Sequence, residues 1–253
     1  MVVKQLLLLF ACLILFALRT AAQEVLIVAD EIPAMEVLAQ AFEKQESIHC
    51  KIVTQPDMPA LLTNFKAVIV YIHKDMDSTA EKAFINYTKN GGKLICLHHS
   101  ISSMKRKNEG WLPFLGVDLP KKDVNEGGYK YVGGINMAVV NLAPTHFITT
   151  NKIQYDSTII YKKEAQTAEK PESGFVLYNT EAFVNHNLLS PRTILLGFKI
   201  QDATGKIWMQ DRSAWCMPVG KGWVFYSQPG HAVSDFENPI YARIVINAFL
   251  YKS

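Results

Sequence analysis

The chain has 253 residues, of which 49% are hydrophobic and 19% are charged, and it contains four cysteines. This composition excludes an intrinsically disordered chain, a collagen-like fibre and a small disulfide-stapled scaffold. The formal net charge is +3, and it becomes +1 without Lys4 and Arg19, which leaves 24 basic and 23 acidic residues. A balance so close to neutral indicates neither a nucleic acid nor an anionic membrane surface as a partner.

Residues 1–22 have the pattern of a secretory signal peptide. Lys4 gives a positive start, Gln5 to Leu18 form an apolar run of 14 residues, and the small residues Thr20, Ala21 and Ala22 precede Gln23. The run is shorter than the ~20 residues that span a bilayer. We therefore expect cleavage before Gln23, no membrane span in the mature chain, and a single mature domain of residues 23–253 that is periplasmic or secreted.

Three cysteines remain after the predicted cleavage: Cys50, Cys96 and Cys216. Their number is odd and they show no CxxC spacing, so the sequence predicts no disulfide framework and leaves open whether one pair is bonded. Cys96 lies inside an apolar run, which is typical of a buried small side chain.

The first half of the mature chain alternates strand and helix patterns. Apolar or β-branched runs predict strands at residues 25–28, 51–53, 67–72 and 94–97. Helical spacing predicts a helix over 34–44, and a second helix begins at Ser78 and ends at Asn90-Gly91-Gly92. This order predicts an α/β fold with an open, mostly parallel sheet flanked by helices.

The second half is predicted to add β-hairpins to that sheet. Ser100 to Asn151 is expected to be irregular, with loops or a hairpin at Gly127-Gly128 and Gly133-Gly134. Strand patterns follow at 175–178, 193–198, 207–209 and 223–226, and Gly220-Lys221-Gly222 predicts a hairpin turn. The chain is expected to end in a helix from Pro239 to Tyr251.

Polar residues follow several predicted strands, at the edge where an open parallel sheet binds its ligands. Asp30 follows the first strand, and the pair His98-His99 follows the fourth. His231 comes shortly after the strand 223–226, and His146 lies in the middle segment. Neutral imidazole exchanges protons near pH 7 and binds metals, so converging histidines would suit acid–base chemistry or a metal site.

Other residues fit ordinary structural roles better. His73, after the third strand, and His49 are more typical of hydrogen-bonded structural histidines. A nucleophile on a strained turn is disfavoured, because Cys96 lies two residues too early and Ser100 lacks flanking glycines. The Gly91-Gly92-Lys93 run precedes a strand instead of opening a helix, so it predicts no phosphate loop.

Several sequence blocks carry a family resemblance. Asn90 to His98 (NGGKLICLH) resembles the glycine-rich strand ending in Leu-His of ThuA-like (trehalose utilisation) proteins. Trp111 to Gly116 (WLPFLG) is similar to their aromatic segment, with Val117 in place of a second glycine. Thr145 to Ile148 stands where these proteins carry an HPI motif, with Phe147 at the proline position.

The most specific block is Ala214 to Tyr226, followed by Gly230-His231, which is similar to the family pattern W…GKGRVFY…GH with Trp223 at the arginine. The resemblance implies a flavodoxin-like fold of the class I glutamine amidotransferase type without its catalytic cysteine, so no glutamine amidotransferase activity is expected. It also implies a role in disaccharide or keto-sugar use. The chain departs from the family where Asp30 replaces a histidine and where the acidic motif is reduced to Asp156-Ser157.

Our leading hypothesis is an exported protein that binds a small-molecule sugar and transforms it as a hydrolase or isomerase. His98 and His231 would act as acid–base or electrostatic groups. The residues predicted to bind or orient the substrate are His99, His146, Asp30, Trp215 and Tyr226, the last two because sugar CH faces stack on aromatic rings.

Two alternatives use the same residues. One is a non-catalytic carbohydrate-binding protein. The other is a metal-assisted enzyme with a divalent metal as cofactor, whose identity histidine ligands alone leave open. The sequence indicates neither the sugar, the reaction nor the oligomeric state.

Overall fold

The computed structural model describes residues 25–252, so the predicted signal peptide lies outside the described residues. Ten strands form one continuous sheet and two short strands form another. The strands are β1 (Val25–Ala29), β2 (Cys50–Val53), β3 (Ala67–Tyr71), β4 (Lys93–Leu97), β5 (Val117–Asp118), β6 (Lys130–Asn141), β7 (Ser157–Tyr161), β8 (Lys170–Val184), β9 (Asn187–Leu188), β10 (Thr193–Gln201), β11 (Ile207–Val219) and β12 (Gly222–Ser227). The α-helices are α1 (Ile32–Glu46), α2 (Ser78–Lys89), α3 (Trp111–Leu115), α4 (Phe147–Thr150), α5 (Val233–Glu237) and α6 (Pro239–Leu250).

One half of the large sheet is parallel, with the strand order β2-β1-β3-β4-β12. Every residue of β1 and β3 is buried, because helices cover both faces of the sheet. Helices α1 and α6 pack on one face, where the rings of Phe42 and Phe249 lie 5.8 Å apart. Helices α2 and α3 cover the other face, where Phe84 and Trp111 lie 6.1 Å apart. The predicted α/β fold with flanking helices is confirmed.

The other half is antiparallel and continues the sheet in the order β11-β10-β6-β8-β7. The predicted turn at Gly220-Lys221-Gly222 joins β11 to β12, which pair antiparallel. Gly220 has a φ of +60°, and a Cβ there would lie 2.7 Å from the Lys89 carbonyl oxygen. Only glycine fits this turn without a shift of the neighbouring backbone. The predicted extra hairpins of the second half are thereby confirmed.

The expectation of an irregular segment from Ser100 to Asn151 is wrong for its last part, which forms β6. Ile135, Met137 and Val139 alternate into the core, as expected of a strand with one buried face. Gly133-Gly134 marks a shift of register in the pairing of β6 with β8, not a turn. Because a β-bulge bends a strand without ending it, these glycines interrupt the alternation while the strand continues.

Cys50, Cys96 and Cys216 are all free thiols in the structure. Cys96 is completely buried within β4, as expected of a cysteine in an apolar run. Within residues 25–252, no helix combines the length and the apolar character needed to cross a bilayer.

Candidate functional site

Three of the predicted histidines meet at the carboxyl ends of β4 and β12. His98 and His99 begin the short 3-10 turn His98–Ile101 directly after β4, and His231 follows β12 by four residues. The ring centroids of His98 and His99 lie 4.3 Å apart, and they lie 5.1 and 5.4 Å from that of His231. Because β4 and β12 are adjacent parallel strands, the structure brings these three side chains to one edge of the sheet.

His98 is held in an unusual backbone conformation. Its φ is +33°, which is uncommon for a residue with a side chain and is concentrated at functional sites. The ring is completely buried, and its Nδ1 lies 2.5 Å from the Gln228 carbonyl oxygen. Since a carbonyl only accepts, Nδ1 carries the proton and the lone pair of Nε2 is free. The Tyr226 hydroxyl donates to the His98 carbonyl over 3.1 Å and supports the turn.

A carboxylate from the antiparallel half completes the cluster. Glu181 lies in β8, and its Oε2 is 3.6 Å from Nε2 of His98, 4.0 Å from Nε2 of His99 and 3.4 Å from Nδ1 of His231. Glu181 is not among the site residues predicted from the sequence. The local signal is weak, since a lone carboxylate within a strand pattern does not indicate what that strand faces.

The spacing of these four side chains fits a metal ion better than a hydrogen-bond network. Distances of 3.4 to 4.0 Å from Glu181 to the three rings exceed ordinary hydrogen-bond lengths. Two ligands of a tetrahedral ion bound at about 2.1 Å are separated by about 3.4 Å. One donor atom from each of the four residues lies within 4.8 Å of all the others. Nε2 of His98 and Nδ1 of His231 are buried without a hydrogen-bond partner.

The protonation states of the cluster suit metal binding. Burial lowers the pKa of His99 and of His231, and the adjacent histidines lower the pKa of His99 further. Neutral imidazole and ionised carboxylate are the forms that coordinate divalent ions.

A buried aspartate ties the loop that carries His231 to the strand that carries Glu181. Oδ2 of Asp235 accepts the backbone N–H of His231 at 2.9 Å and the hydroxyl of Thr180, the residue before Glu181, at 2.6 Å. On the other side, the Tyr71 hydroxyl donates to the His231 carbonyl over 2.9 Å. The backbone N–H and the backbone carbonyl of His231 are therefore both held by hydrogen bonds.

Gly230 is required by the same loop. Its φ is +105°, and a Cβ there would lie 2.5 Å from the Tyr241 hydroxyl oxygen. Any other residue would have to displace a buried tyrosine and adopt a strained backbone conformation. This is the physical reason for glycine before His231.

Asp30 and His73 lie beside the cluster. The Asp30 carboxylate accepts the backbone N–H groups of His73 at 2.7 Å and Lys74 at 2.8 Å, so it shapes the loop after β3. The ring of His73 stacks on that of His99 with centroids 3.9 Å apart, and its Nδ1 lies 2.7 Å from Oε1 of Glu31. Asp30 therefore acts on the site through the position of His73.

Trp215 and Tyr226 are not placed where a substrate could stack on them. Both side chains are completely buried, and their rings pack against each other at 5.3 Å. The Arg192 guanidinium lies 4.2 Å from the Trp215 ring. The alternation of β11 and β12 turns both aromatic side chains into the core, where Tyr226 supports the His98 turn through its hydroxyl and neither ring is open to a ligand.

His146 lies at the opposite edge of the sheet. Its Nδ1 accepts the backbone N–H of Ile148 at 3.2 Å and caps α4, and its ring packs 4.8 Å from Tyr251. Tyr251 in turn packs 5.6 Å from Trp223, at the amino end of β12. Because the cluster lies beyond the carboxyl end of that strand, the structure does not support His146 as a substrate-binding residue.

Neither Cys96 nor Ser100 is positioned as a nucleophile. Burial within β4 raises the pKa of the Cys96 thiol, which disfavours the thiolate. The Ser100 hydroxyl donates to the Leu97 carbonyl over 3.0 Å and is completely buried. Neither group therefore adds a nucleophile to the imidazole and carboxylate groups at this edge.

The fold and the site together define an α/β protein with a buried His–Glu cluster at the carboxyl edge of its parallel strands. The family model ThuA, described as trehalose utilisation, matches residues 21–252, and the chain therefore belongs to the ThuA family. The resemblance inferred from the sequence blocks is confirmed, and it supports a role in carbohydrate utilisation. Among curated proteins, no sequence matches the chain.

Solved structures with a similar fold include a ThuA-like protein and two β-galactosidases. The ThuA-like protein from Bacteroides uniformis is 16% identical, with a TM-score of 0.59 and 91% coverage of both chains. The β-galactosidase from Bacillus circulans sp. alkalophilus is 10% identical with a TM-score of 0.53, over 90% of this chain and 31% of that one. The enzyme from Rahnella sp. R3 is 11% identical with a TM-score of 0.52, over 85% of this chain and 30% of that one. At these identities the similarity shows the fold alone, and the chain spans about a third of each galactosidase.

Proposed function

We propose that this protein is an exported, divalent-metal-dependent enzyme that transforms a disaccharide or keto-glycoside by hydrolysis or isomerisation. The observation that carries the proposal is the convergence of three imidazoles on the Glu181 carboxylate, whose Oε2 lies 3.4 to 4.0 Å from a nitrogen of each ring. The family description supports a sugar as the substrate. The pattern of residues 1–22 supports export to the periplasm or secretion.

The donor set fits an ion because its buried atoms lack other partners. Leaving a polar atom buried and unpaired costs free energy, so the free Nε2 of His98 and Nδ1 of His231 call for a ligand. A divalent ion held by His98, His99, Glu181 and His231 would supply Lewis-acid polarisation of sugar oxygens. His73, beside His99 and paired with Glu31 through Nδ1, is placed to move a proton at the edge of the cluster.

Elemental analysis of the mature, tag-free protein, purified without chelators, tests the proposal. We expect about one divalent metal per chain, lost in His98→Ala, because one of about four ligands is removed. His146→Ala is the matched control: it removes a histidine at the opposite edge and should keep the metal. A protein that takes up no Zn²⁺, Mn²⁺ or Ni²⁺ on dialysis would contradict the metal centre.

Catalysis is tested separately, by incubating metal-loaded protein at high concentration with trehalose and with its oxidised keto form. New carbohydrate species in the NMR spectrum, absent with His98→Ala, are the expected result. If both sugars bind and are recovered unchanged, the protein is a carbohydrate-binding protein and the enzymatic proposal fails.

A further inference from the structure

A cavity of about 270 Å³ adjoins the His–Glu cluster on the side of β6 and β8. His99 and Glu181 form its inner wall, and the aromatic side chains of Tyr129, Tyr131 and Phe183 line another part of it. Ligand pockets in proteins usually measure about 300–1,000 Å³, so this space suits one sugar ring and not a whole disaccharide.

The register of two antiparallel strands explains why these residues share the cavity. Tyr131 of β6 pairs with Phe183 of β8, and Gly133 pairs with Glu181. Paired residues, and residues two apart along a strand, point to the same face of a sheet. Gly133 also leaves room beside the carboxylate, since a Cβ there would lie 3.2 Å from Oε1 of Glu181.

Tyr131 presents its ring to solvent at the mouth of the cavity. It is 62% exposed, so one face of the ring is open to a ligand. Behind it, the ring of Tyr129 stacks on Phe183 with centroids 5.8 Å apart, and the Arg106 guanidinium lies 5.6 Å from the Tyr129 ring. The inner aromatic rings are therefore held in place, and the outer ring has a free face.

Ser102 provides a second, independent sign of a ligand. The residue is only 7% exposed and lines the cavity, yet its hydroxyl has no hydrogen-bond partner. A buried hydroxyl without a partner costs free energy that a ligand hydroxyl would recover. Sugar rings combine apolar CH faces, which stack on aromatic side chains, with hydroxyl groups that need such polar partners.

We propose that this cavity is a subsite for a single sugar ring, which stacks on Tyr131, accepts or donates a hydrogen bond at Ser102 and lies against the His–Glu cluster through Glu181. The inference rests on the proposed function. It places the substrate on the side of the cluster that faces β6 and β8. A second cavity, of about 420 Å³, borders His231 and Val233 on the other side, but no tyrosine, phenylalanine or tryptophan lines it.

Calorimetric titration of the metal-loaded full mature protein with trehalose and with methyl α-glucoside tests the subsite. Tyr131→Ala is expected to weaken binding about 3- to 10-fold, and Ser102→Ala about 3- to 10-fold, because each removes one contact to the ring. Tyr178→Ala is the matched control, since Tyr178 is 67% exposed on β8 but does not line the cavity. Val233→Trp, which fills the second cavity, should leave the affinity for methyl α-glucoside unchanged.

Unchanged sugar affinity in both Tyr131→Ala and Ser102→Ala would overturn the subsite. Loss of binding in Val233→Trp but in neither of these two variants would also overturn it. So would a wild-type protein that binds neither sugar. Metal content is measured on the same samples. Sugar binding that depends on Tyr131 in a protein without metal would support the subsite and refute the metal centre. A metal-loaded protein whose sugar affinity is the same with and without the Tyr131 side chain would support the metal centre and refute the subsite.

Discussion

The two halves of the large sheet contribute to the site in different ways. The parallel half supplies His98 and His231 from loops that follow strands, whereas the antiparallel half supplies Glu181 and Tyr131 from within strands. A loop after a parallel strand always reaches the carboxyl edge of the sheet. A residue within a strand reaches the site only if both its register and the side of the pleat place it there.

This difference shows that the cluster depends on how the halves are joined. Three donors come from one half and the carboxylate from the other, and β11, β10 and β6 lie between β12 and β8 in the sheet. The direct tie across the site is Asp235, which binds both Thr180 and the His231 backbone. A change to that tie, a change to the carboxylate of the antiparallel half, and a change to an ion pair away from the site should therefore have distinguishable effects on stability and metal affinity.

The largest effect is expected from Asp235→Ala, which removes the tie. Oδ2 of Asp235 is buried and accepts from the Thr180 hydroxyl and from the N–H groups of His231 and Ala232. Loss of these bonds leaves buried donors unpaired, so the free energy of unfolding should fall by about 3 kcal/mol, measured by urea titration. Metal affinity should also fall about tenfold, because the loop that carries His231 is released.

Asp202→Ala is the control for the loss of an aspartate with several accepted bonds. Its carboxylate accepts from Thr204 and Trp208 but lies at the exposed turn between β10 and β11. It should leave metal affinity unchanged and cost much less stability. Equal losses in the two variants would show that Asp235 has no special role in joining the halves.

Glu181→Gln tests the contribution of the antiparallel half by itself. The change keeps the size of the side chain and removes its charge, so we expect metal affinity to fall about 10- to 100-fold with little change in stability. The metal affinity is measured by competition with a fluorescent chelator. Glu172→Gln, on the same strand and paired with Lys163 at 2.9 Å, should bind metal normally. An unaltered affinity in Glu181→Gln would mean that the histidines alone hold the ion.

The smallest effect is expected from Glu46→Gln, away from the site, where the last residue of α1 contacts Arg243 of α6 and Lys152 of the turn that follows α4. Hydrogen bonds from Lys152 and Arg243 lower the pKa of the Glu46 carboxyl below its ordinary value of 4.5. A lowered folded pKa adds stability that is present above the unfolded pKa and is lost as the pH falls through the folded value. Solvent screens the pairs, so the variant should be less stable by under about 1 kcal/mol near neutral pH.

The pH dependence distinguishes this charge effect from a loss of packing. The stability difference between wild type and Glu46→Gln should shrink as the pH is lowered below 4.5, as measured by urea unfolding across the pH range. Glu36→Gln, exposed on the same helix α1, provides the control and should show no such trend. A difference that stays constant with pH would refute the ionic explanation.

The site residues of the parallel half could be predicted from the sequence, whereas those of the antiparallel half could not. His98, His99 and His231 could be chosen from the sequence because each follows an apolar strand, and that position alone sends it to the carboxyl edge. Glu181 could not, because its place depends on pairings between β8 and a strand about 50 residues earlier in the chain. Chain spacing does not determine such distances.

The prediction that two aromatic residues bind the substrate is not supported, for a related reason. Trp215 and Tyr226 lie in the block that carries the family resemblance and are adjacent in the pairing of β11 with β12. Their sequence neighbours do not show which face of the sheet is buried, and both faces of these central strands are covered. Tyr131, which the sequence analysis did not select, has its free face because β6 extends beyond the core at its amino end.

The amino-acid sequence by itself determined the α/β class, the parallel strands, the hairpin turn at Gly220-Lys221-Gly222, the family and the three histidines. These features depend on local periodicity, on turn chemistry or on the ends of strands, which are properties of short segments. Only the tertiary structure decided that Glu181 closes the cluster, that Tyr131 and Ser102 line a cavity, and that His146 lies at the far edge. The physical reason is that strand register and the packing of sheet faces are set by contacts between residues far apart in the chain.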